Sequence, residues 1–312
     1  MAEQGRTIFF EWEVYLMSFL QRHLPSFGVA LSSLFTMLGE EVVLILIFGL
    51  IYWCLDKKAA KLIGTNLLVA IIINPMIKNI VLRRRPYFDH EQIDCLRPVN
   101  DKADIYDITF QGYSFPSAHT FNATVMYVSL WKTWRKHIFA IIAFIVPLLV
   151  AVSRVALGNH YPTDVLTGWV LGILIAVFMP VVMNRVKDHN LIRLVIFLIS
   201  STGIFYCRTD DYFTALGLMG GFFAAAFFEE KFVSFSQTRK PLACILRVAG
   251  GCLCYAVINK ILKLPFSDDF LNSATMSAHL VRSARYMITV FVMFAVYPML
   301  FDLIKRREQN EQ

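Results

Sequence analysis

Charged side chains are scarce in this sequence, at 17% of 312 residues against 57% hydrophobic. A soluble surface needs more polar cover than that, so the soluble two-domain enzyme that the length alone would permit is excluded. Glycine is also limited, at 15 residues, and with so little charge the chain fits neither collagen, nor coiled coil, nor a disordered segment. The six cysteines, Cys54, Cys95, Cys207, Cys244, Cys252 and Cys254, sit mostly inside apolar runs and lack the paired spacing of zinc or redox sites. They read as packing residues, with a Cys95 to Cys207 disulfide the one pairing left open. A formal net charge of +7 could suggest nucleic acid, but no basic stripe interleaved with aromatics exists, so no nucleic-acid partner is expected. No cleavable signal is expected either, because Glu11 and Glu13 fall where a signal peptide needs an apolar core.

What is present in quantity is apolar length. A helix needs about 17 to 25 residues to cross a bilayer. Stretches near or within that range lie at 40–55, 60–82, 116–131, 137–155, 163–184, 192–207, 211–228, 242–262 and 285–303, bounded by charge or by Gly and Pro. The expected fold is therefore all-α: a polytopic transmembrane helical bundle with about nine crossings. Residues 8–23 set Phe9, Phe10, Trp12, Tyr15, Leu16 and Phe19 beside Glu11, Glu13, Gln21 and Arg22, as an amphipathic surface helix would. Three regions follow: an N-terminal interfacial segment 1–39, a catalytic membrane domain 40–190, and further C-terminal transmembrane helices 191–312.

Lys and Arg in alternate connections set the orientation. One set holds fifteen: Lys57, Lys58, Lys61, Lys132, Arg135, Lys136, Arg185, Lys187, Arg193, Lys231, Arg239, Lys240, Lys305, Arg306 and Arg307. The other holds ten, offset by ten acids that include Asp89, Glu91, Asp94, Asp101, Asp104 and Asp107. The first set is expected on the cytoplasmic side. That puts the loop 87–113 and the turn 158–163 together on the extracytoplasmic or luminal face, in a bacterial plasma membrane or an endoplasmic reticulum membrane alike.

Those two loops carry the unusual polar residues. Three segments stand out: Lys78-Asn-Ile-Val-Leu-Arg-Arg-Arg85-Pro86, Pro116-Ser117-Ala118-His119, and Ser153-Arg154-Val-Ala-Leu-Gly-Asn-His160-Tyr-Pro-Thr-Asp164. Ionisable groups at membrane depth are costly unless a cavity or partner receives them. His160 and Asp164, four apart at a helix start, can meet side to side, so the carboxylate fixes the imidazole tautomer and leaves the other nitrogen free as a nucleophile. Pro162 suits that helix's first turn. Ser117 suits an N-cap, and the N–H groups after it point where an anion would sit. Lys78, Arg85 and Arg154 add a cationic cage, the two arginines able to fork onto phosphoryl oxygens. His119 is left beside the leaving oxygen as general acid. The set reads as phosphoryl transfer through a phosphohistidine, with no cofactor and no metal called for, because side chains supply the positive charge. Arg83 and Arg84 read as ordinary interfacial anchors. A second Ser277-Ala278-His279 lacks the preceding Pro and any following partner motif, and reads as coincidence; Asn122-Ala-Thr124 falls within a predicted membrane helix and reads as an unused glycosylation acceptor.

The three segments resemble the signature of the type 2 phosphatidic acid phosphatase (PAP2) superfamily, Lys-x6-Arg-Pro, Pro-Ser-Gly-His and Ser-Arg-x5-His-x3-Asp, in order and spacing over about residues 60–185. Ala118 stands where the family has Gly, which is harmless if residue 118 is helical and damaging if it needs a positive φ; the helical case is expected. The resemblance implies His160 as nucleophile, His119 as acid, Asp164 as orienter, and Lys78, Arg85, Ser117, the Ala118 N–H and Arg154 as phosphate ligands. The implied activity is that of a metal-independent phosphoric monoester hydrolase acting on a lipid phosphate such as sphingosine 1-phosphate or phosphatidate. The extra helices and the Tyr52-Trp-Cys-x-Asp-Lys-Lys58 run are similar to sphingosine 1-phosphate phosphatase-like members. A lipid phosphotransferase using the same phosphohistidine and an undecaprenyl diphosphate phosphatase are the alternatives. A vanadate haloperoxidase needs a soluble scaffold, and a lipid transporter needs no such histidine pair. The helices after residue 190 are open to three uses: a homodimer contact, a lipid entrance, or a larger scaffold.

Overall fold

A computed structural model describes residues 5–233 and 235–301. Among them the chain is helical, with one isolated backbone bridge between Arg6 and Arg83 and no named strand. The helices are α1 (Glu11–Arg22), α2 (Ser26–Met37), α3 (Glu41–Leu50), α4 (Lys57–Val81), α5 (Ala118–Trp134), α6 (His137–Ala156), α7 (Pro162–Arg185), α8 (His189–Ser201), α9 (Asp210–Phe232), α10 (Pro241–Ile261) and α11 (Met276–Phe291). Six helices are long and apolar enough to cross a membrane: 57–81, 137–156, 162–185, 210–232, 241–261 and 276–301. A seventh span results if α2 and the helix over 41–55 are taken together. The nine expected crossings thus reduce to six or seven among the described residues. The physical reason is visible in α5, which has only 17 residues and buries Thr120, Asn122 and Thr124, and in the stretch 189–205, which is shorter than a crossing needs. Lys305, Arg306 and Arg307 lie outside the described residues.

The chain divides into two compact units. The first comprises Met1–Leu44 and Ile73–Val182. Its α5 and α7 touch where glycine permits it: a Cβ at Gly168 would stand 2.8 Å from the carbonyl oxygen of Ser117, and one at Gly172 would stand 2.6 Å from Thr124 Cβ. Helix α1 folds onto this unit by burying Val14 and Met17 with Ile93, Ala151, Val155, Tyr161 and Val165. The amphipathic helix is there as expected, but its faces are divided differently. Phe10, Trp12, Tyr15, Leu16 and Phe19 point outward, and Glu13 is the polar residue buried inside. Outward apolar side chains also line α6 (Ile138, Ile141, Phe144) and α7 (Val170, Ile173, Phe178), the surface expected of lipid-facing helices.

The second unit comprises Ile45–Ile72 and Met183–Gln312. Its centre is aromatic. Two π-helical turns, Ile51–Leu55 and Val292–Val296, present Tyr52, Trp53 and Phe294 to one another, with Trp53 stacked on Phe294 at 5.3 Å and Phe48 packed edge-on to Phe222 at 5.2 Å. Below these rings Lys57 and Lys61 pair with Glu229 at 2.5 and 2.8 Å, and Lys61 also pairs with Glu230 at 2.9 Å. The Tyr52 to Lys58 run therefore has a packing role: its rings fill the core, Asp56 accepts from the Ala59 N–H at 2.9 Å at the start of α4, and Lys57 binds Glu229. All six cysteines are free thiols, so the open Cys95 to Cys207 pairing is not formed.

Candidate active site

Helix α4 ends because Leu82 takes a positive φ of 57°, an arrangement rare for a branched side chain. The chain then runs extended through residues 83–85, and Arg6 pairs with it by accepting from the Arg84 N–H at 3.0 Å and donating to Leu82 O at 2.7 Å. Extended backbone alternates its side chains. Arg83 and Arg85 accordingly turn inward, each 3% exposed, while Arg84 turns out toward Asp89 at 3.1 Å.

Arg85 is locked by carbonyl groups. Its Nε donates to Gln111 O at 2.9 Å and Gly112 O at 3.1 Å, and Nη1 donates to Asn159 O at 3.0 Å. The same Nη1 lies 3.4 Å from Nε2 of His160. The Gln111 side chain ties the acidic loop in turn, accepting from the Val99 and Asn100 N–H groups and donating to Asn100 O.

His160 follows a turn that only glycine can make. Gly158 has φ +80°, and a Cβ there would lie 2.1 Å from Asp94 O. Beyond the turn, Pro162 opens α7, and Asp164 in its first turn places Oδ2 3.5 Å from His160 Nδ1. That distance exceeds a good hydrogen bond, and catalytic contacts often tighten only with substrate bound. Oδ2 also accepts from the Tyr161 N–H at 2.8 Å. Burial chiefly, and then the positive charges of Arg85, Arg154 and Lys78 and the neighbouring His119, hold the His160 imidazole well below the ordinary histidine range. A neutral imidazole with its Nε2 facing a guanidinium can act as a nucleophile toward a bound phosphoryl group.

The other expected residues gather around this pair. Ser117 is the residue before α5, with its N–H donating to Asp164 O at 3.1 Å. Its hydroxyl does not cap the helix and lies instead 3.2 Å from Thr120 Oγ1. Ala118 begins α5 with helical backbone, so the glycine of the family pattern is not needed for conformation here. His119 is half-buried one residue further on. Arg154 is 3% exposed, donates to Thr36 Oγ1 at 3.2 Å, and keeps its buried Nε without a hydrogen-bond partner among the described residues, an arrangement suited to an incoming anion. Lys78 is buried in the last turn of α4, and on the same helix Asn74 donates to Pro116 O at 3.0 Å, which fixes the segment leading into Ser117.

Two participants escape the sequence reading. Arg83 is not an interfacial anchor: it is buried and binds Asp164 at 2.6 Å and Glu13 at 2.7 Å. The period-two alternation with Arg85 after a helix break was the signal that could have found it. Glu13 was legible only as a polar residue of the amphipathic helix; in the structure it is buried and accepts from the Phe10 N–H at 2.9 Å. The second Ser-Ala-His falls in the other unit, where His279 stacks on Phe213 at 4.6 Å and lies 3.2 Å from Asp210.

An all-helical membrane chain whose first unit gathers a His–Asp pair, a second histidine and three cations belongs to a definable class, and the comparisons name it. The chain belongs to the PAP2 superfamily: a family model with that description matches residues 59–188, and one described as the PAP2 superfamily phosphatase transmembrane extension matches residues 213–309. It is similar to an undecaprenyl-diphosphatase of Sulfolobus acidocaldarius, 30% identical over 43% of this chain and 60% of the relative. It is also similar to phosphatidylglycerophosphatase B of Bacillus subtilis, 40% identical over 20% of this chain and 36% of the relative. A third relative is undecaprenyl-diphosphatase BcrC of Bacillus subtilis, 30% identical over 38% of this chain and 55% of the relative. The chain thus spans between 36% and 60% of the length of these relatives. No solved structure matches it comparably.

Proposed function

We propose that this chain is an integral membrane phosphatase of lipid phosphates that works through a phosphohistidine on His160. The observation that carries the reading is the two-sided environment of one imidazole: Asp164 Oδ2 stands 3.5 Å from Nδ1 and Arg85 Nη1 stands 3.4 Å from Nε2. Asp164 orients the ring, and Nε2 attacks phosphorus. As the P–N bond forms, the P–O bond to the lipid breaks, and His119 gives the departing oxygen its proton. Water then attacks the phosphohistidine with His119 as base, and inorganic phosphate leaves. Lys78, Arg85 and Arg154, with Ser117 and the N–H groups opening α5, hold the phosphoryl oxygens and stabilise their charge in the transition state.

Substrate choice is a second layer of the proposal. Lipid-facing apolar surface on α6 and α7 favours a substrate whose chain remains in the bilayer while its phosphate enters the cage. Two relatives bear the name undecaprenyl-diphosphatase, which favours a lipid diphosphate over sphingosine 1-phosphate or phosphatidate. The sphingosine 1-phosphate reading rested on the extra helices and on the Tyr52 to Lys58 run, and the residues of that run are engaged in packing and pairing within the second unit. The charge rule puts the site on the extracytoplasmic or luminal face. The three-region division and a homodimer contact through the C-terminal helices complete the picture as proposals.

The test is phosphate release by the purified chain from undecaprenyl diphosphate, phosphatidylglycerophosphate, phosphatidate and sphingosine 1-phosphate, without added metal. Release from at least one lipid, abolished in His160→Ala, is expected. Undiminished release by that variant would end the reading. Transfer of phosphate to an added alcohol in preference to water would identify a phosphotransferase instead.

A further inference from the structure

Arg83 occupies a position that the Lys-x6-Arg-Pro pattern leaves unspecified, and Glu13 lies on a helix that the signature does not include. Both are buried, at 3% and 0% exposure, so neither serves solvent or a headgroup. One guanidinium joins two carboxylates: Nη1 donates to Asp164 Oδ1 at 2.6 Å and Nη2 donates to Glu13 Oε2 at 2.7 Å. Thr163 closes the ring. Its hydroxyl accepts from Arg83 Nη1 at 2.7 Å and donates to Glu13 Oε1 at 2.6 Å, and its N–H donates to the same oxygen at 3.0 Å. Arg83 Nε donates to Ile8 O at 2.6 Å, and the guanidinium sits 4.0 Å from the centroid of the Tyr161 ring. Every partner but Glu13 and Ile8 therefore belongs to the turn that carries His160.

A buried charge cluster is a poor device for stability alone, since well-packed apolar residues do that as well or better. Its value lies in direction. With Oδ1 held by Arg83, the Asp164 carboxylate has one rotation left, and that rotation presents Oδ2 to the Tyr161 N–H and to His160 Nδ1. We propose that Glu13 and Arg83 are positioning residues, which act through Asp164 to set the ring orientation and tautomer of His160. Helix α1 is thereby part of the catalytic apparatus. This inference rests on the reading of His160 as nucleophile.

The experiment measures kcat and KM of the full chain on its best substrate from the lipid panel, for Glu13→Gln and Arg83→Lys, alone and in an Asp164→Asn background. Each single change is expected to lower kcat by about tenfold or more, the scale of losing a residue that orients a ligating histidine. KM should stay within about twofold, and the Asp164→Asn background should remove the effect to within about twofold, because the carboxylate being held is gone. A merely structural role would lower the yield of folded protein and multiply in both backgrounds. Should Glu13→Gln not fold, Thr163→Val removes one bond from each charge and should show a smaller kcat loss with the same non-additivity. Wild-type kcat in both single variants, or multiplicative losses, overturns the inference while leaving His160 as nucleophile. Activity retained in His160→Ala overturns both.

Discussion

Arg85 Nη1 lies 3.4 Å from His160 Nε2, while the other ring nitrogen faces Asp164 Oδ2 at 3.5 Å. The imidazole is thus held between a guanidinium and a carboxylate, which are the proposed phosphate ligand and the proposed orienter. Replacing Asp164 by Asn keeps the volume and removes the acceptor that selects the tautomer. Asp164→Asn should retain substrate affinity and lose kcat by at least about a hundredfold, the scale of a misaligned base or nucleophile. Steady-state kinetics beside a phosphoenzyme trap checks this; a variant that accumulates phosphohistidine at the wild-type rate would show that Asp164 does not orient the attack.

Arg85 is fixed by three backbone carbonyls, from Gln111, Gly112 and Asn159, before any substrate arrives. Lysine has the charge without the planar fork and cannot hold those carbonyls and a phosphoryl oxygen together. Arg85→Lys should lower kcat/KM by about a hundredfold or more, as removal of a preorganised oxyanion donor does. Arg84→Lys, which keeps the charge of a side chain that turns away from His160 toward Asp89, should change it by less than about twofold. Similar losses at the two positions would contradict the assignment.

The contrast between these neighbouring arginines marks where sequence reasoning stopped. Spacing singled out Lys78, Arg85, Ser117, His119, Arg154, His160 and Asp164 as candidates, because they fall near helix ends at the intervals of the family pattern. It did not separate Arg83 from Arg84, since the separation depends on Leu82 leaving the helix at φ 57° and on the extended backbone that follows. Glu13 was beyond reach because its partner is 70 residues away in sequence. The helices were legible from apolar length, but crossings were overcounted where α5 spends its hydrophobic length on buried Thr120, Asn122 and Thr124. Those polar residues pack inside the first unit and read in sequence as part of a membrane stretch.

His160 remains neutral to lower pH than an ordinary histidine, near 6.5, because burial and then Arg85, Arg154 and Lys78 oppose a positive ring, with His119 adding to them. The acid limb of kcat/KM, which reports the free enzyme, should therefore lie below that value. Lys78→Met removes one opposing charge, so the ring takes its proton more readily and the limb should move up in pH. A limb that stays in place or moves down would show that His160 does not govern it. The same depression has a stability consequence. Below about 6.5 the unfolded chain protonates this histidine before the folded chain does, so the contribution is intact above that pH and is lost progressively as pH falls from there through the depressed folded-state value.

Gly158 tests the turn that delivers His160. A side chain at φ +80° is strained whatever space surrounds it, and here a Cβ would also stand 2.1 Å from Asp94 O. Gly158→Ala should shift the turn, lowering kcat by about tenfold or more, since small misplacements of a reacting group are costly. Gly112→Ala is the control, having φ +68° but nothing within 4 Å of its Cβ. Its strain is backbone only, and its effect should be the smaller. Equal kinetic losses would mean that contact with the Asp94 carbonyl does not hold the turn.

The charge cluster of the second unit answers a different question, whether buried ion pairs there support the fold. Glu229 has its side chain 1% exposed and binds both Lys57 and Lys61, whereas Glu230 is 35% exposed and binds Lys61 and Arg193. Removing Glu229 leaves the Lys57 ammonium without its carboxylate and Lys61 with Glu230 alone, and breaking a buried pair in that way costs about 3 to 5 kcal/mol. Glu230 is partly open to solvent, which offsets more of its loss, so removing it should cost less than removing Glu229. In detergent-solubilised protein the unfolding midpoint of Glu229→Gln should thus fall well below that of Glu230→Gln, and adding Lys57→Met to Glu229→Gln should restore part of the difference by removing the stranded charge. Midpoints that fall equally for both glutamates would mean that burial does not set the strength of these pairs, and the cluster would then be an ordinary surface network despite its depth.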